Sequence, residues 1–278
     1  MFGRLPRFIA YHLAAFLARI TYRLNSPVRR AVLANMRRVL GPEAPDDEVD
    51  GAARRVFRSV AYYYVDLFRM PHMSLRQLGE DRVLAHGLEH VRDAVAAGRG
   101  VVMCTAHYGN PEFALQAMAY HGIQVLALTE VLSPAPLNEF VHRIRAVHGH
   151  RFLPLGFDTL KETILALRKA GVVAVMFDRD IRGRSIVIDL CGSPASVPTG
   201  TIDLALRTGA VVIPCFSSRR VDGRFLVQVG PPMELSQTGD REKDTRANVE
   251  ALFALFLPWL RQDPAQWMVT ESIWDTDP

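Results

Sequence analysis

The hydrophobic positions of the chain change their spacing near residue 100. In the preceding part, apolar residues recur every three or four positions, as they do between Val56 and Phe68, which is typical of amphipathic helices. Pro27 and Asp46 suit helix starts, and Gly41-Pro-Glu-Ala-Pro45 is a break between helices. This spacing predicts that residues 1–98 are helical.

After residue 100, short β-branched runs alternate with helical stretches. The predicted strands are 101–104, 125–128, 172–177, 185–188, 211–216 and 225–229, and the predicted helices are 111–120, 136–147, 158–169, 200–208 and 243–261. The turn signal Val221-Asp-Gly-Arg224 makes the last strands antiparallel. We therefore predict an α/β fold: residues 99–278 form a core with a central, mostly parallel mixed sheet flanked by helices, and residues 1–98 form an N-terminal helical extension.

The candidate chemistry lies at the first strand-to-helix junction of this core, in His107-Tyr-Gly-Asn-Pro-Glu112. On one regular helix the two ends of this segment would point about 140° apart. They can meet only if His107 lies on the strand end or loop and Glu112 on the first helical turn, a break that Asn110 as N-cap and Pro111 favour. Glu112 could then orient the ring of His107 as a base. Alternatively, Glu112 only complements the helix dipole and His107 is a structural loop residue.

These residues resemble the H-x4-(D/E) motif of the lysophospholipid acyltransferase superfamily. The longer run from Gly100 to Glu112 resembles its bacterial lipid A acyltransferase branch, in which H-x-G-N-x-E is typical. Other segments similar to that branch are His86-Gly-Leu-Glu-His90, the run from Phe177 to Arg184, Val197-Pro-Thr-Gly-Thr201 and the run from Leu204 to Pro214. The resemblance extends from about Arg29 to Trp274 and implies a glycerolipid acyltransferase-like fold.

The resemblance implies an O-acyltransferase that needs no cofactor. Its donor would be acyl-CoA or acyl-carrier protein, and its acceptor a hydroxyl of a membrane glycolipid or lipid A-type molecule. His107 would act as general base, and Glu112 would orient it and balance its charge. Two alternatives remain open: an acyl thioesterase with the same two residues, and a non-catalytic lipid-binding relative.

The C-terminus departs from the lipid A branch. Thr270-Glu-Ser-Ile-Trp274 replaces the basic H-R-R-W-K element that is usual there. Enzymes that acylate phosphatidylinositol mannosides also lack this element, and the segment resembles them at least as well. This difference weakens the expectation of a bisphosphorylated sugar acceptor.

Several further residues are candidates for substrate binding. Arg145 is the closest match to an arginine that holds anionic groups in the family, and Arg143 is its neighbour on the same predicted helix. Two positions on a helix differ by about 200°, so at most one of them faces a shared site. Either could instead be a solvated charge.

A cluster of charges follows the predicted strand 172–177. Asp178, Arg179 and Arg184 belong to it, together with Asp180 and Arg182. They form either a structural Asp–Arg network or a polar site, in which Arg179 or Arg184 contacts phosphate and Asp178 orients an arginine or the acceptor hydroxyls.

Thr199 and Gly200 open a predicted helix. Thr199 suits the N-cap, and Gly200 would let backbone amides approach an oxygen or phosphate. Glycerolipid relatives carry a glutamate where Thr199 stands, so the resemblance weighs against glycerol-3-phosphate as acceptor.

The charge distribution favours a membrane surface as partner. The net charge is +4, and arginines are concentrated near the N-terminus, at positions 4, 7, 19, 23, 29, 30, 37 and 38. The chain has no RNA-binding motif or zinc finger, so we expect no nucleic-acid partner. Residues 8–24 are apolar but are interrupted by His12, Arg19 and Arg23, which predicts an interfacial helix rather than a spanning one. The alternative is a helix packed on the domain.

Together these features predict a peripheral or monotopic protein at the cytoplasmic face of the cell membrane. Cys104, Cys191 and Cys215 lack C-x2-C spacing, and Cys104 and Cys215 lie in strand-like runs, which predicts buried, reduced thiols. The histidines have no partner at i+3 or i+4 on a shared helix face, so we expect no metal.

Overall fold

A computed structural model describes residues 5–24, 26–181 and 183–274 of the chain. The first elements are three helices, α1 (Arg7–Arg23), α2 (Pro27–Leu40) and α3 (Asp46–Arg69). Pro27 lies at the start of α2, whose N-cap Ser26 accepts a hydrogen bond from the Arg29 amide, and three acidic residues lie in the first turn of α3. The predicted helix starts are therefore confirmed.

A strand also occurs in the region that was predicted to be helical. After a 3-10 turn (Met70–His72) and a π-helical turn (Gln77–Arg82), β1 (Val83–His86) pairs in parallel with the last strand of the sheet. The prediction of helix throughout residues 1–98 was wrong here, because a four-residue strand is too short to show a periodicity of its own.

The remaining elements follow the predicted alternation. They are α4 (Leu88–Ala96), β2 (Val101–Thr105), α5 (Pro111–Tyr120), β3 (Val125–Thr129), α6 (Ala135–Arg145), β4 (Arg151–Pro154), α7 (Phe157–Arg168), β5 (Val172–Met176), β6 (Ser185–Leu190), β7 (Ser193–Pro198), α8 (Gly200–Thr208), β8 (Val211–Arg219), β9 (Phe225–Val229) and α9 (Arg241–Gln262). The short strands β4 and β7 were not predicted.

The described part of the chain contains a seven-stranded sheet with the order β1-β9-β8-β2-β5-β3-β4, and β6 pairs with β7 in a separate hairpin. Strands β8, β2, β5, β3 and β4 are parallel, whereas β9 is antiparallel to β8. This confirms the predicted mixed, mostly parallel sheet and the antiparallel pairing at its end. The carboxyl ends of β8, β2, β5 and β3 consequently lie along one edge, where α/β sheets place their functional groups.

Two hydrophobic clusters cover the two faces of the sheet. Successive residues of β2 alternate between them: Val102 and Cys104 face one cluster, and Val101 and Met103 face the other. Helices α2, α3, α8 and α9 contribute to the first cluster, and α4, α5 and α6 contribute to the second. The N-terminal helices thus share a core with the sheet.

Helix α1 has two apolar sides with different surroundings. One side, formed by Ala10, Ala14, Ala18 and Tyr22, is buried, and the helix packs on α3. Its other side leaves large apolar side chains exposed: Phe8, Ile9, Leu13, Phe16, Leu17 and Ile20. Within the described residues, no helix combines the length and apolar character needed to cross a bilayer.

Candidate active site

The loop from β2 to α5 has the conformation that the sequence predicted. Strand β2 ends at Thr105, α5 begins at Pro111, and the Asn110 side chain caps the helix by accepting a hydrogen bond from the Phe113 amide at 3.1 Å. Gly109 has a φ of 68°, and a Cβ at this position would lie 2.1 Å from the Ser217 carbonyl oxygen. Only glycine fits this close approach, which holds the His107 loop against β8.

The carboxylate beside His107 is Asp178, which lies two residues beyond the end of β5. His107 Nδ1 lies 2.8 Å from Asp178 Oδ1, and the His107 backbone amide donates to Oδ2 at 2.8 Å. The indole N–H of Trp267 also donates to Oδ2, at 2.8 Å. Because β2 and β5 are adjacent parallel strands, their carboxyl ends bring His107 and Asp178 together.

These contacts determine the ionisation of Asp178 and the tautomer of the His107 ring. Burial alone would raise the pKa of the Asp178 carboxyl, but the charge and hydrogen bonds of His107 and the Trp267 N–H lower it below its usual range. Asp178 is therefore an ionised acceptor, so in the neutral form of the His107 ring Nδ1 carries the proton and Nε2 has a free lone pair. The His107 side chain is 22% exposed, which leaves it accessible from solvent.

Glu112 has partners other than the expected ring of His107. Its Oε1 lies 2.7 Å from Arg145 Nη2 and accepts a hydrogen bond from the Tyr63 hydroxyl at 3.0 Å. Arg145 is held further by Gln116, whose side-chain N–H donates to the Arg145 carbonyl oxygen at 2.9 Å. The expectation that Glu112 orients the ring is thus corrected: Asp178 makes that contact, and Glu112 joins α5 to α6 and α3.

Burial explains why the two charges of this second cluster are paired with each other. Burial raises the pKa of the Tyr63 hydroxyl and the Glu112 charge raises it further; for Arg145, burial opposes its charged form, but Glu112 and Tyr63 raise its pKa above the usual value. A buried charge without a partner would be costly. Arg145, predicted to hold an anionic substrate, is therefore occupied by Glu112, while Arg143 is exposed, in agreement with their spacing on α6.

The charge cluster after β5 separates into different environments. Asp178 contacts His107, whereas Arg179 pairs with Glu271 and Glu130. Arg184 is exposed, and Arg182 lies outside the described residues, as does Arg4 of the N-terminal arginine group. Arg179, which was expected to contact a phosphate, is thus already paired with two carboxylates.

Thr199 and Gly200 occupy the start of α8, as predicted. The Thr199 hydroxyl donates to Asp203 at 2.7 Å rather than capping a backbone amide, and the Thr199 amide donates to the Arg184 carbonyl oxygen at 3.3 Å. A Cβ at Gly200 would meet nothing within 4 Å, so this helix start has open space beside it.

Asp66, a buried residue of α3, binds the His107 loop through a hydrogen bond. Asp66 accepts a hydrogen bond from the Asn110 side chain at 3.1 Å and also contacts Arg219 of β8 and the hydroxyl of Tyr11 on α1. Burial, followed by the nearby Asp66 charge, raises the pKa of the Tyr11 hydroxyl. Helix α1 is therefore connected to the candidate active site through one carboxylate.

The cysteine thiols are unsuited to nucleophilic catalysis. Cys104 and Cys215 are free and buried, as predicted, and burial raises the pKa of Cys215 to about 12. Burial also raises the pKa of Cys104 and of the partly exposed Cys191. These thiols remain protonated at neutral pH and cannot serve as thiolate nucleophiles.

The sequence singled out Asp178 but suggested another partner for it, and it did not indicate that Trp267 contacts Asp178. The placement of Asp178 after a strand was visible in the sequence; the order of the strands was not. Trp267 reaches Asp178 from 89 residues away along the chain, a contact that no local pattern encodes.

Comparison with known proteins shows the family to which the chain belongs. The sequence profile described as bacterial lipid A biosynthesis acyltransferase matches residues 1–276. The chain belongs to this family. It is an acyltransferase of the lipid A and phosphatidylinositol mannoside type.

Individual relatives of the lipid A biosynthesis acyltransferase family agree over most of their length. The chain is 31% identical over 255 residues to phosphatidylinositol mannoside acyltransferase of Mycobacterium tuberculosis, covering 87% of this chain and 76% of the relative. The phosphatidylinositol mannoside acyltransferase of Mycolicibacterium smegmatis is 28% identical over 249 residues, covering 87% of this chain and 78% of the relative. Lipid A biosynthesis lauroyltransferase of Escherichia coli is 26% identical over 258 residues, covering 88% and 79%.

Proposed function

We propose that this acyltransferase moves a fatty acyl chain from acyl-CoA or acyl-carrier protein to a sugar hydroxyl of a glycolipid, with His107 as general base. The hydrogen bond between His107 Nδ1 and Asp178 carries the proposal, because it leaves Nε2 as the proton acceptor. The ring is accessible from solvent, so an acceptor hydroxyl can reach it.

The reaction needs only these two protein groups for its proton transfer. Nε2 removes the proton from the acceptor hydroxyl as its oxygen attacks the thioester carbonyl carbon. The C–S bond breaks, and the departing thiolate takes a proton from the imidazolium. Asp178 stabilises the imidazolium in between through the Nδ1 hydrogen bond and its negative charge.

For the acceptor we propose a phosphatidylinositol mannoside-type glycolipid. Two relatives of about 30% identity carry that name, and this chain lacks the basic C-terminal element of the lipid A branch. The lipid A-type acceptor is the second candidate, since the lauroyltransferase is also a relative.

We further propose that the protein works at the cytoplasmic surface of the cell membrane. The exposed apolar side of α1 can enter the lipid interface while arginines 7, 19 and 23 meet anionic headgroups. The thioester donors are made in the cytoplasm, and the acceptor's lipid anchor lies in the bilayer.

The test is acyl transfer by purified His107→Ala. A positioned base contributes about 10²–10⁴ in rate, so we expect a loss of that size in the transfer of radiolabelled acyl chain from acyl-CoA to a phosphatidylinositol mannoside. His72→Ala, at an exposed histidine of the Met70–His72 turn, is the matched control. Normal turnover by folded His107→Ala would refute the proposed base.

The same assay separates the alternatives. Thiol release that is equally fast with and without glycolipid would identify a thioesterase. Lipid binding that survives in His107→Ala, together with no turnover of any donor by the unchanged protein, would identify a non-catalytic relative.

A further inference from the structure

Next to Asp178 in the chain lies an arginine whose nitrogens all face carboxylates. Arg179 directly follows Asp178, and its Nε and Nη2 contact the two oxygens of Glu271 at 2.7 and 3.0 Å. Its Nη1 contacts Glu130, beyond the end of β3, at 3.4 Å. Glu271 thus occupies the planar two-donor edge that an arginine would otherwise offer to a phosphate.

The backbone around Glu271 is held firmly beside His107. The Met268 amide donates to the His107 carbonyl oxygen at 2.7 Å, and Trp267 donates to Asp178. On the other side, the buried side chain of Asn35 on α2 donates to the Glu271 carbonyl oxygen at 2.9 Å. The C-terminal segment therefore contacts His107 and Asp178 through Trp267 and Met268, and its Glu271 carboxylate binds Arg179, the neighbour of Asp178.

The cluster lies where an acceptor can touch it. The side chains of Arg179, Glu130 and Glu271 are 24%, 40% and 48% exposed, so they form a rim that is open to solvent. Two carboxylates against one guanidinium give this rim a net negative charge. It repels a phosphate, whereas sugar hydroxyls can donate hydrogen bonds to the remaining carboxylate lone pairs.

We propose that Glu271 determines acceptor specificity: by occupying Arg179 beside the His107–Asp178 pair, it selects an acceptor sugar that carries no phosphate and disfavours a phosphorylated one. This inference rests on the proposed acyl transfer and deepens it, because it identifies the residue that separates the two acceptor classes of the family. The segment that differs from the basic element of the lipid A branch is the segment that supplies this residue.

The test compares two acceptors in one purified preparation with acyl-CoA as donor. One is a phosphatidylinositol mannoside, and the other is a lipid-bearing glucosamine disaccharide bisphosphate. Glu271→Gln removes one negative charge from the cluster and replaces one of the two acceptor oxygens facing Arg179, with little change in shape. Two charges about 4 Å apart in water interact by about 1 kcal/mol, so we expect the ratio of kcat/KM for the bisphosphate over the mannoside to rise by about fivefold or more.

Two further variants make the result specific. Glu130→Gln should change the ratio in the same direction, and it replaces Glu271→Gln as the test variant if Glu271→Gln does not fold. Glu242→Gln, at an exposed position in the first turn of α9, changes the net charge equally and should leave the ratio unchanged. An unchanged ratio in folded Glu271→Gln and Glu130→Gln, or an equal rise in Glu242→Gln, would overturn the assignment of Glu271.

A binding measurement separates this inference from the proposed function. The water-soluble headgroups, a glucosamine disaccharide bisphosphate and a glycerophosphoinositol mannoside, are titrated calorimetrically into the unchanged protein and into Glu271→Gln. Tighter bisphosphate binding by the variant supports the role of Glu271, even if neither acceptor is acylated. The absence of acylation would refute only the proposed acyl transfer. Equal bisphosphate binding by both proteins would contradict the role of Glu271.

Discussion

A histidine can serve as a base only through a nitrogen that lacks a proton, and in this protein Asp178 determines which nitrogen that is. The carboxylate accepts a hydrogen bond from His107 Nδ1–H and two more from the His107 backbone amide and the Trp267 indole. These donors keep Asp178 ionised in a fully buried position, so the ring orientation and its tautomer follow from one residue.

The isosteric change Asp178→Asn tests this dependence. The amide oxygen should accept the two donors at the Oδ2 position, which turns the amide NH2 toward Nδ1 and forces the His107 proton onto Nε2. We expect kcat for acyl transfer to fall by about 10²–10⁴, with folding intact by circular dichroism. Asp93→Asn, at an exposed position on α4, is the control and should keep full activity. An active Asp178→Asn protein would exclude Asp178 as the positioning residue.

Among the elements, the ion pair of Glu112 and Arg145 joins the start of α5 to the end of α6, and Tyr63 extends the connection to α3. Glu112 is almost fully buried and Arg145 nearly so. The two ends of the H-x4-E segment therefore belong to two neighbouring clusters. His107 belongs to the candidate catalytic pair, and Glu112 stabilises the packing of the helices around that pair.

A double-mutant cycle measures this connection. Glu112→Ala leaves the Arg145 charge buried without its partner, so we expect the free energy of unfolding to fall by about 3–5 kcal/mol in urea titrations. Glu112→Ala combined with Arg145→Met should cost clearly less than the sum of the two single changes.

The exposed pair of Arg151 and Glu162 provides the comparison. Glu162→Gln should change the free energy of unfolding by at most about 1 kcal/mol, because solvent screens this pair. If the effects of Glu112→Ala and Arg145→Met were strictly additive, Glu112 and Arg145 would not be energetically coupled.

At the scale of the whole molecule, the exposed side of α1 and the candidate active site are linked through the buried Asp66. Tyr11 of α1 and Asn110 of the His107 loop bind the same carboxylate. An orientation of α1 on the membrane would therefore also orient the site that must receive a lipid acceptor.

Vesicle binding tests the role of α1. Phe8 and Phe16 are the most exposed aromatic residues of the helix, and fully burying one such side chain contributes about 1.5–3 kcal/mol. We expect Phe8→Ser/Phe16→Ser to bind anionic vesicles at least about tenfold more weakly in co-sedimentation. Leu165→Ser, at an exposed apolar position of α7, should bind normally. Equal binding by all three proteins would show that α1 does not contact the membrane.

Strong local signals were sufficient for most of the fold. The long helices and the buried strands of the core were predicted within a few residues because their periodicity, caps and turns are encoded by neighbouring residues. The strands β1, β4 and β7 were missed, since four to six residues without strong alternation acquire their conformation from the strands with which they pair.

By itself, the sequence determined that His107 lies at the end of a buried strand, that Glu112 lies in the first turn of the following helix, and that Asn110 and Pro111 separate them. Only the tertiary structure decided which carboxylate each group meets. Asp178 is 71 residues from His107, and it reaches the ring because β5 pairs beside β2. Glu112 meets Arg145 because α6 returns to α5. Spacing along a chain determines directions within one element, whereas contacts between elements follow from strand order and packing.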